Sequence, residues 1–418
     1  MSFARAVYTA LTVVVLPAAL AKLAWRSRRE PDYAAHVPER LGRYAAPKRS
    51  RPLIWIHAVS VGETRAAEPL VRVLRARYPD HAILMTHMTP TGRRTSEELF
   101  GDTVLRAYLP YDFPRGVARF LDHFAPRVGV IMETEIWPNL VAACEARGVP
   151  LVLANARLSE RSAPGYRRLG ALAREAVGAF SEIGAQTADD ARRFEALGAR
   201  AVTVTGSLKF DVAPPLQQLA RGRAWRESYG PRPVLLAAST RAGEEALVLD
   251  AFAQIAGSPL LVLVPRHPQR FDEVASLLRE RGLRYARRSA ADPVAPDIQV
   301  LLGDSMGEMP AYYAACDLAF VGGSLVPSGG QNFIEACAVG TPVLLGPHTY
   351  NFAEAAARAI AGGAAIRVDN PADLARVATR LLRDEEARAR MTQHGLAFAH
   401  AHQGATAKVM RLIEEVMK

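Results

Sequence analysis

From Arg51 onward, short apolar runs alternate with amphipathic stretches, the pattern of a parallel sheet whose strands are joined by crossover helices. The apolar runs predict strands at 53–59, 82–86, 104–109, 128–132, 151–154, 183–186 and 201–205. A 3.6-residue apolar period predicts helices between them, over 64–77, 115–124, 140–147, 166–180 and 188–197. The stretch DVAPPL at 211–216 then breaks the pattern and reads as an inter-domain hinge. The alternation restarts with strands at 234–238, 260–264, 298–302, 318–321, 343–345 and 364–368. Two doubly wound α/β domains are expected, 31–211 and 217–405, joined by a hinge at 212–216 and facing one cleft. The amphipathic tail 406–418 is expected to form a helix that packs back across the hinge.

Ahead of the alternating pattern, residues 6–21 (AVYTALTVVVLPAALA) are apolar and uncharged. The run is short for a bilayer span, which takes roughly 20 residues, and Pro17 is expected to kink it. Arg5, the apolar core and Ala19-Leu20-Ala21 resemble a secretory signal. Against that, Lys22, Arg26, Arg28, Arg29 and Arg40 follow directly, and positive charge there favours retention on the cytoplasmic side. Residues 1–30 therefore read as an uncleaved membrane anchor and basic segment, dipping into or tilted across the bilayer, with the body of the protein in the cytoplasm.

The chain has 418 residues, half of them hydrophobic, and 52 Lys and Arg against 42 Asp and Glu give a formal charge of +10. That balance suits nucleic acid, an anionic membrane or phosphorylated substrates. No zinc finger or RNA-binding aromatic signature is present, so nucleic acid ranks last. Cys144, Cys316 and Cys337 lack metal-like spacing and suit a reducing compartment.

In doubly wound sheets ligands sit beyond the carboxyl ends of the strands, so the residues at those ends are the candidates. The first delivers Ser60-Val61-Gly62-Glu63, where Glu63 is either a general base or the acidic member of an S-x-x-E capping box; spacing alone favours the cap. The fourth delivers Glu133-Thr134-Glu135, two carboxylates suited to a metal or an acceptor hydroxyl, or to a helix N-terminus. Only one of them is expected to point inward. Lys209, in GSLKFD at 206–211, is either placed to meet a developing negative charge or a solvated lysine beside the hinge, the commoner arrangement.

In the second domain, Ser239, Thr240 and Arg241 open a helix, and Pro265-Arg266-His267-Pro268 sets a guanidinium and an imidazole at a strand end. Gly303–Met309 carries Ser305 and Glu308 at capping-box spacing. The strand at 318–321 breaks into the loop Gly322-Gly323-Ser324, followed by Ser328-Gly329-Gly330-Gln331-Asn332, with a helix expected over 332–339. Such a loop offers unpaired N–H groups to a phosphate, and Glu335 in the first helical turn can accept two ribose hydroxyls. The spacing is neither that of a P-loop nor GxGxxG, and glycine-rich strand-to-helix turns occur in many α/β proteins.

These segments together resemble the 3-deoxy-D-manno-octulosonic acid (Kdo) transferases of lipopolysaccharide core assembly. The resemblance is carried by IWIHAVSVGE (54–63), METEIWPN (132–139), GSLKFD (206–211), ASTRAGEE (238–245), VPRHPQRF (264–271), GDSMGEM (303–309), VGGSLVPSGGQNFIEA (321–336) and VLLGPHTYNF (343–352). It spans essentially the whole chain. It implies a GT-B glycosyltransferase of two Rossmann-like lobes that transfers Kdo from CMP-Kdo to a lipid A precursor, inverting and without a metal or other cofactor. By motif, Glu63 resembles the base, Glu133 and Lys209 the groups supporting the transition state, and Glu135 lies on the acceptor side. CMP and Kdo contacts are implied for Ser239, Thr240, Pro265, Arg266, His267, Met306, Gly307, Glu308, Gly323, Ser324, Gln331, Asn332, Phe333, Ile334 and Glu335, the last on the ribose.

Two positions depart from the family pattern. Gln331 stands where GGHN is common, and Arg241 where histidine often follows Ser-Thr; both keep a hydrogen-bond donor. An anionic donor and a bis-phosphorylated lipid acceptor account for the basic balance, and localisation at the inner membrane follows from the acceptor. The alternatives are a GT-B enzyme with another nucleotide sugar, or a non-catalytic sugar-nucleotide or lipid-binding module.

Overall fold

The computed structural model describes residues 2–45, 51–160, 162–292 and 294–418. The chain divides into two compact units, Met1–Val212 with Gln403–Lys418, and Ala213–His402. Each is built on a seven-stranded sheet in which every pairing is parallel.

The first sheet comprises β1 (Leu53–His57), β2 (Ala82–His87), β3 (Leu105–Tyr108), β4 (Val128–Met132), β5 (Leu151–Ala156), β6 (Glu182–Ala185) and β7 (Val202–Val204). Its strand order is β3-β2-β1-β4-β5-β6-β7. The central strands are apolar on successive residues because helices cover both faces. Along β1, Ile54 and Ile56 point into one core while Leu53 and Trp55 point into the other. The strand order reverses direction between β1 and β4, which lie side by side with Ile54 opposite Val128. That reversal is where a doubly wound sheet opens a crevice beyond its carboxyl ends.

The second sheet comprises β8 (Val234–Thr240), β9 (Leu260–Pro265), β10 (Tyr285–Arg287), β11 (Val300–Leu302), β12 (Leu318–Val321), β13 (Val343–Leu345) and β14 (Ala365–Arg367). The order β10-β11-β9-β8-β12-β13-β14 reverses between β8 and β12. The edge strand β10 was not expected, because Tyr-Ala-Arg shows no apolar run.

Several expected boundaries move. The helix expected over 166–180 is two, Ala163–Arg168 and Ala171–Gly178, broken where Gly170 takes φ 55°. The helix expected from 332 begins at Ile334 and ends at Val339. The N-terminal helix is longer than its apolar run, covers Phe3–Ser27 and continues through Pro17. Among the described residues it is the one helix long and apolar enough to cross a bilayer by length and composition.

The C-terminal helix Ala405–Val416 belongs to the first unit. Its Val409, Met410, Leu412 and Ile413 pack into the core shared with Ile54, Val130 and Val152. Asp211 accepts hydrogen bonds from the N–H groups of Gly404 (2.7 Å) and Thr406 (2.5 Å), tying the returning chain to the end of the first unit's main segment. Ile413→Ala is expected to cost about 2–5 kcal/mol. In a urea titration it should lower the first unit's transition and leave that of the second unit in place, although residue 413 follows the second unit in the chain.

Candidate active site

In the first unit the candidate residues converge at the β1–β4 reversal. Ser60 caps helix Val61–Arg77 and Glu63 lies in its first turn. Ser60 Oγ accepts from the Glu63 N–H at 3.5 Å and donates to Glu63 Oε1 at 3.2 Å; Oε2 accepts from the Val59 N–H. The capping arrangement expected from the sequence is therefore present. It does not exclude acid–base chemistry. Glu63 is only 9% exposed. Burial first, then the negative charges of Glu133 and Glu135, push its carboxyl up to about 8, against the lowering effect of the Val59 and Ser60 hydrogen bonds.

Glu133 and Glu135 lie in the turn between β4 and helix Pro138–Ala146, not in the helix, whose first turn holds no acid. Helical periodicity, on which the expectation that only one faces inward was based, does not govern this turn. Both raise Glu63. Glu133 adopts φ 58°, uncommon for a residue with a side chain, and its Oε1 lies 3.0 Å from Lys209 Nζ. Glu135 Oε2 accepts from Trp137 Nε1 at 3.1 Å, and burial raises its carboxyl too.

Lys209 stands on the short 3₁₀ turn Leu208–Asp211. Asn155, at the end of β5, accepts the Leu208 N–H on its Oδ1 (3.1 Å) and so orients that turn. Sequence reasoning missed Asn155. Its signal was a polar residue inside an otherwise apolar strand, LVLANA.

In the second unit a group forms at the β8–β12 reversal. Glu244, fully buried, holds the glycine loop: its carboxylate accepts from the N–H groups of Gly323 (2.6 Å), Ser324 (3.1 Å), Leu325 (3.0 Å) and Arg241 (3.1 Å). Gly330 and Gln331 N–H groups bond back to the carbonyls of Gly323 and Gly322. The N–H groups of Gly323, Ser324, Gly330 and Gln331, four of those the sequence offered to a phosphate, are thus engaged by protein. Ser324 is buried, its hydroxyl donating to the Val321 carbonyl and accepting the Gly346 N–H. A Cβ at Gly322 would stand 2.7 Å from Thr240 Cα and 2.8 Å from Glu244 Oε2, which explains the glycine.

Thr240 donates to Glu245 (2.8 Å), which also pairs with Arg270 (2.5 Å). Arg241 bonds His267, and burial together with Arg241, Arg266 and Arg270 holds that imidazole below its ordinary range. Gln331 and Arg241 both lie against Gly323, so the two departures from the family pattern are neighbours. Asn332 Nδ2 donates to Glu335 Oε1 at 2.9 Å.

Met306, Gly307 and Glu308 sit in a group of their own beyond β11. Glu308 is paired with Arg221 (2.8 Å) and Arg288 (3.0 Å). Ser305 donates to Glu308 (2.6 Å), yet the helix starts only at Met309, so the expected capping box is a side-chain pair instead. Phe333 and Ile334 are buried beside Glu335, and Pro265 ends β9. Among the described residues, no group of three or more His, Cys, Asp or Glu is arranged to hold a metal ion.

Two doubly wound units of this kind, each with its polar groups at the strand-order reversal, define the GT-B class of fold. Residues 283–397 match the model of glycosyl transferases group 1. A glycosyltransferase of Rickettsia africae superposes with a TM-score of 0.61 at 12% identity, over 88% of this chain and 100% of that one, a likeness of fold. Residues 35–212 match the model of 3-deoxy-D-manno-octulosonic-acid transferases. The transferase of that name from Bordetella pertussis is 48% identical, with 94% of each chain covered. That from Haemophilus influenzae is 37% identical, with 99% of each covered. The chain belongs to the 3-deoxy-D-manno-octulosonic acid transferase family.

Glu244→Gln replaces one accepting oxygen by a donor and strands two buried N–H groups, at about 1–3 kcal/mol each. The second unit's melting transition should fall accordingly, with the first unit's unchanged.

Proposed function

We propose that this enzyme transfers Kdo from CMP-Kdo to a hydroxyl of a lipid A precursor, with inversion at the anomeric carbon and Glu63 as general base. The observation that carries the reading is the Glu63 carboxyl: held at about 8 by burial and two neighbouring acids, it is matched to accept a hydroxyl proton near neutral pH. Membership of the family supplies the sugar and, through it, a role in lipopolysaccharide assembly.

In the reaction the acceptor oxygen gives its proton to Glu63 and bonds to the anomeric carbon, while the bond from that carbon to the CMP phosphate breaks and CMP leaves with the electron pair. Lys209, anchored on Glu133 at 3.0 Å, offsets negative charge near the reacting groups. Arg241, Arg266 and His267 form the cationic group for the phosphate, and a bound anion would draw the imidazole toward its protonated form. Glu335 takes the ribose hydroxyls, with Asn332 orienting it. No metal is assigned a role. The N-terminal helix and its basic tail, Lys22 to Arg29, attach the enzyme to the inner membrane, with both units in the cytoplasm where the sugar nucleotide is available.

Labelled Kdo transfer from CMP-Kdo to tetra-acylated lipid A precursor, with EDTA present, is expected to proceed and to yield the opposite anomeric configuration by NMR. Glu63→Gln should cut the rate about 10²–10⁴-fold while CMP binding persists. Retained configuration, loss of activity in EDTA, or an active Glu63→Gln enzyme would each contradict a named part of this reading.

A further inference from the structure

The N-terminal helix Phe3–Ser27 has its polar and apolar sides reversed relative to a helix on a water-facing surface. At its start, Ser2, Arg5, Tyr8 and Thr9 turn toward the first unit. Arg5 pairs with Glu175 at 2.6 Å, and Ser2 bonds the same carboxylate. Tyr8 donates to the buried Asp112 at 2.9 Å, and Thr9 donates to Asn139 at 2.8 Å. Arg5, Pro138, Ala142, Leu172, Glu175 and Ala176 close round this seam. Toward the other end, Leu23 is buried, Arg26 lies over the Tyr33 ring, and the following turn is tied back by the Asp32–Arg94 ion pair.

The opposite side is bare and apolar. Phe3, Val7, Leu11, Val14 and Trp25 recur at helical spacing and are between 43% and 85% exposed. Ala10, Ala18 and Ala21 fill the same stripe, and the first charge to appear beside it is Lys22, followed by Arg28 and Arg29. A surface helix that hides its polar groups and bares its apolar ones is suited to hydrocarbon. The basic end supplies charge complementarity to anionic headgroups.

By length the helix, about 37 Å at 1.5 Å per residue, is able to cross a bilayer. Its contacts oppose that. Both ends are fastened to one folded unit, so crossing would require Ser2–Thr12 to leave it. Glu175 and Asp112 would then lose their partners, and Arg5 would have to pass through hydrocarbon.

We propose that this helix does not cross the membrane but lies in the plane of one leaflet, its Phe3–Trp25 stripe sunk in the acyl boundary and Lys22, Arg28 and Arg29 on anionic headgroups. This rests on the reading of the enzyme as membrane-attached and specifies how. Thr9 bonds Asn139, in the helix that directly follows the Glu133–Trp137 turn, so an in-plane helix also sets the lipid surface at a fixed place relative to the carboxylates. A lipid acceptor would then reach them without leaving the leaflet.

The test uses the full chain with Cys144, Cys316 and Cys337 replaced by alanine and a nitroxide on a single cysteine at 3, 14 or 25. Vesicles contain phosphatidylglycerol and phosphatidylethanolamine, and depth is read from relaxation by oxygen against a water-soluble nickel complex. The expected result is one shallow depth, about 5–10 Å, for all three positions. In addition, Leu11→Ser and Val14→Ser should each weaken vesicle binding by at least about tenfold. Position 14 at the bilayer centre with 3 and 25 in opposite interfaces would overturn the in-plane placement alone. Absence of vesicle binding would overturn membrane attachment as well. Spin–spin broadening between copies without lipid depth would assign the stripe to self-association and also overturn the proposal. Kdo transfer to detergent-dispersed acceptor, measured on the same samples, separates all of these outcomes from failure of the catalytic reading.

Discussion

One constraint organises the first unit: three carboxylates, Glu63, Glu133 and Glu135, stand near one another where the strand order reverses between β1 and β4. Burying like charges together is costly, and the cost appears as a proton held on Glu63 up to about pH 8. The surrounding structure bounds that cost. Ser60 and the Val59 N–H fix the Glu63 carboxyl, Lys209 neutralises Glu133, Trp137 holds Glu135, and Asn155 sets the turn that presents Lys209. The left-handed backbone at Glu133 is a further strain maintained at this point.

The second unit solves a different problem with the same topology. At its own reversal it buries a single acid, Glu244, and surrounds it with backbone N–H groups. The carboxylate thereby rigidifies the glycine loop. Beside that loop stand Arg241 and His267, and burial, together with Arg241, Arg266 and Arg270, holds the imidazole below its ordinary range. The buried carboxylates of the first unit's reversal thus have no counterpart at the second unit's, where one acid is matched by backbone N–H groups.

Much of this was legible in the residues. Strands such as Val128–Met132, Leu318–Val321 and Val343–Leu345 were readable to the residue, because a parallel strand covered on both faces is apolar throughout and ends in polar or glycine-rich turns. The strand ends then pointed to Glu63, Glu133 and Lys209. What escaped depended on distant partners. Nothing local in the glycine loop reveals that Glu244, some 80 positions earlier, occupies its N–H groups. Ser305 and Glu308 have capping-box spacing, but Arg221 and Arg288 draw Glu308 into an ion-pair cluster before the helix begins. Tyr285–Arg287 is a strand only because β11 offers it an edge to pair with. For Glu63, cap and base looked like alternatives in the sequence; in the fold the same carboxyl is held by the cap and made basic by burial.

The central claim is that Glu63 removes the acceptor proton and that Glu133 adds to the basicity that burial gives it. The pH dependence of kcat/KM for Kdo transfer, measured for the natural enzyme and for Glu133→Gln side by side, tests it most directly. A base whose carboxyl sits near 8 gives a rate that rises with pH along an acid limb ending there. Removing the neighbouring negative charge, and leaving Lys209 uncompensated, must move that limb to lower pH. An acid limb that stays in place in Glu133→Gln, or that survives in Glu63→Gln, would contradict the account.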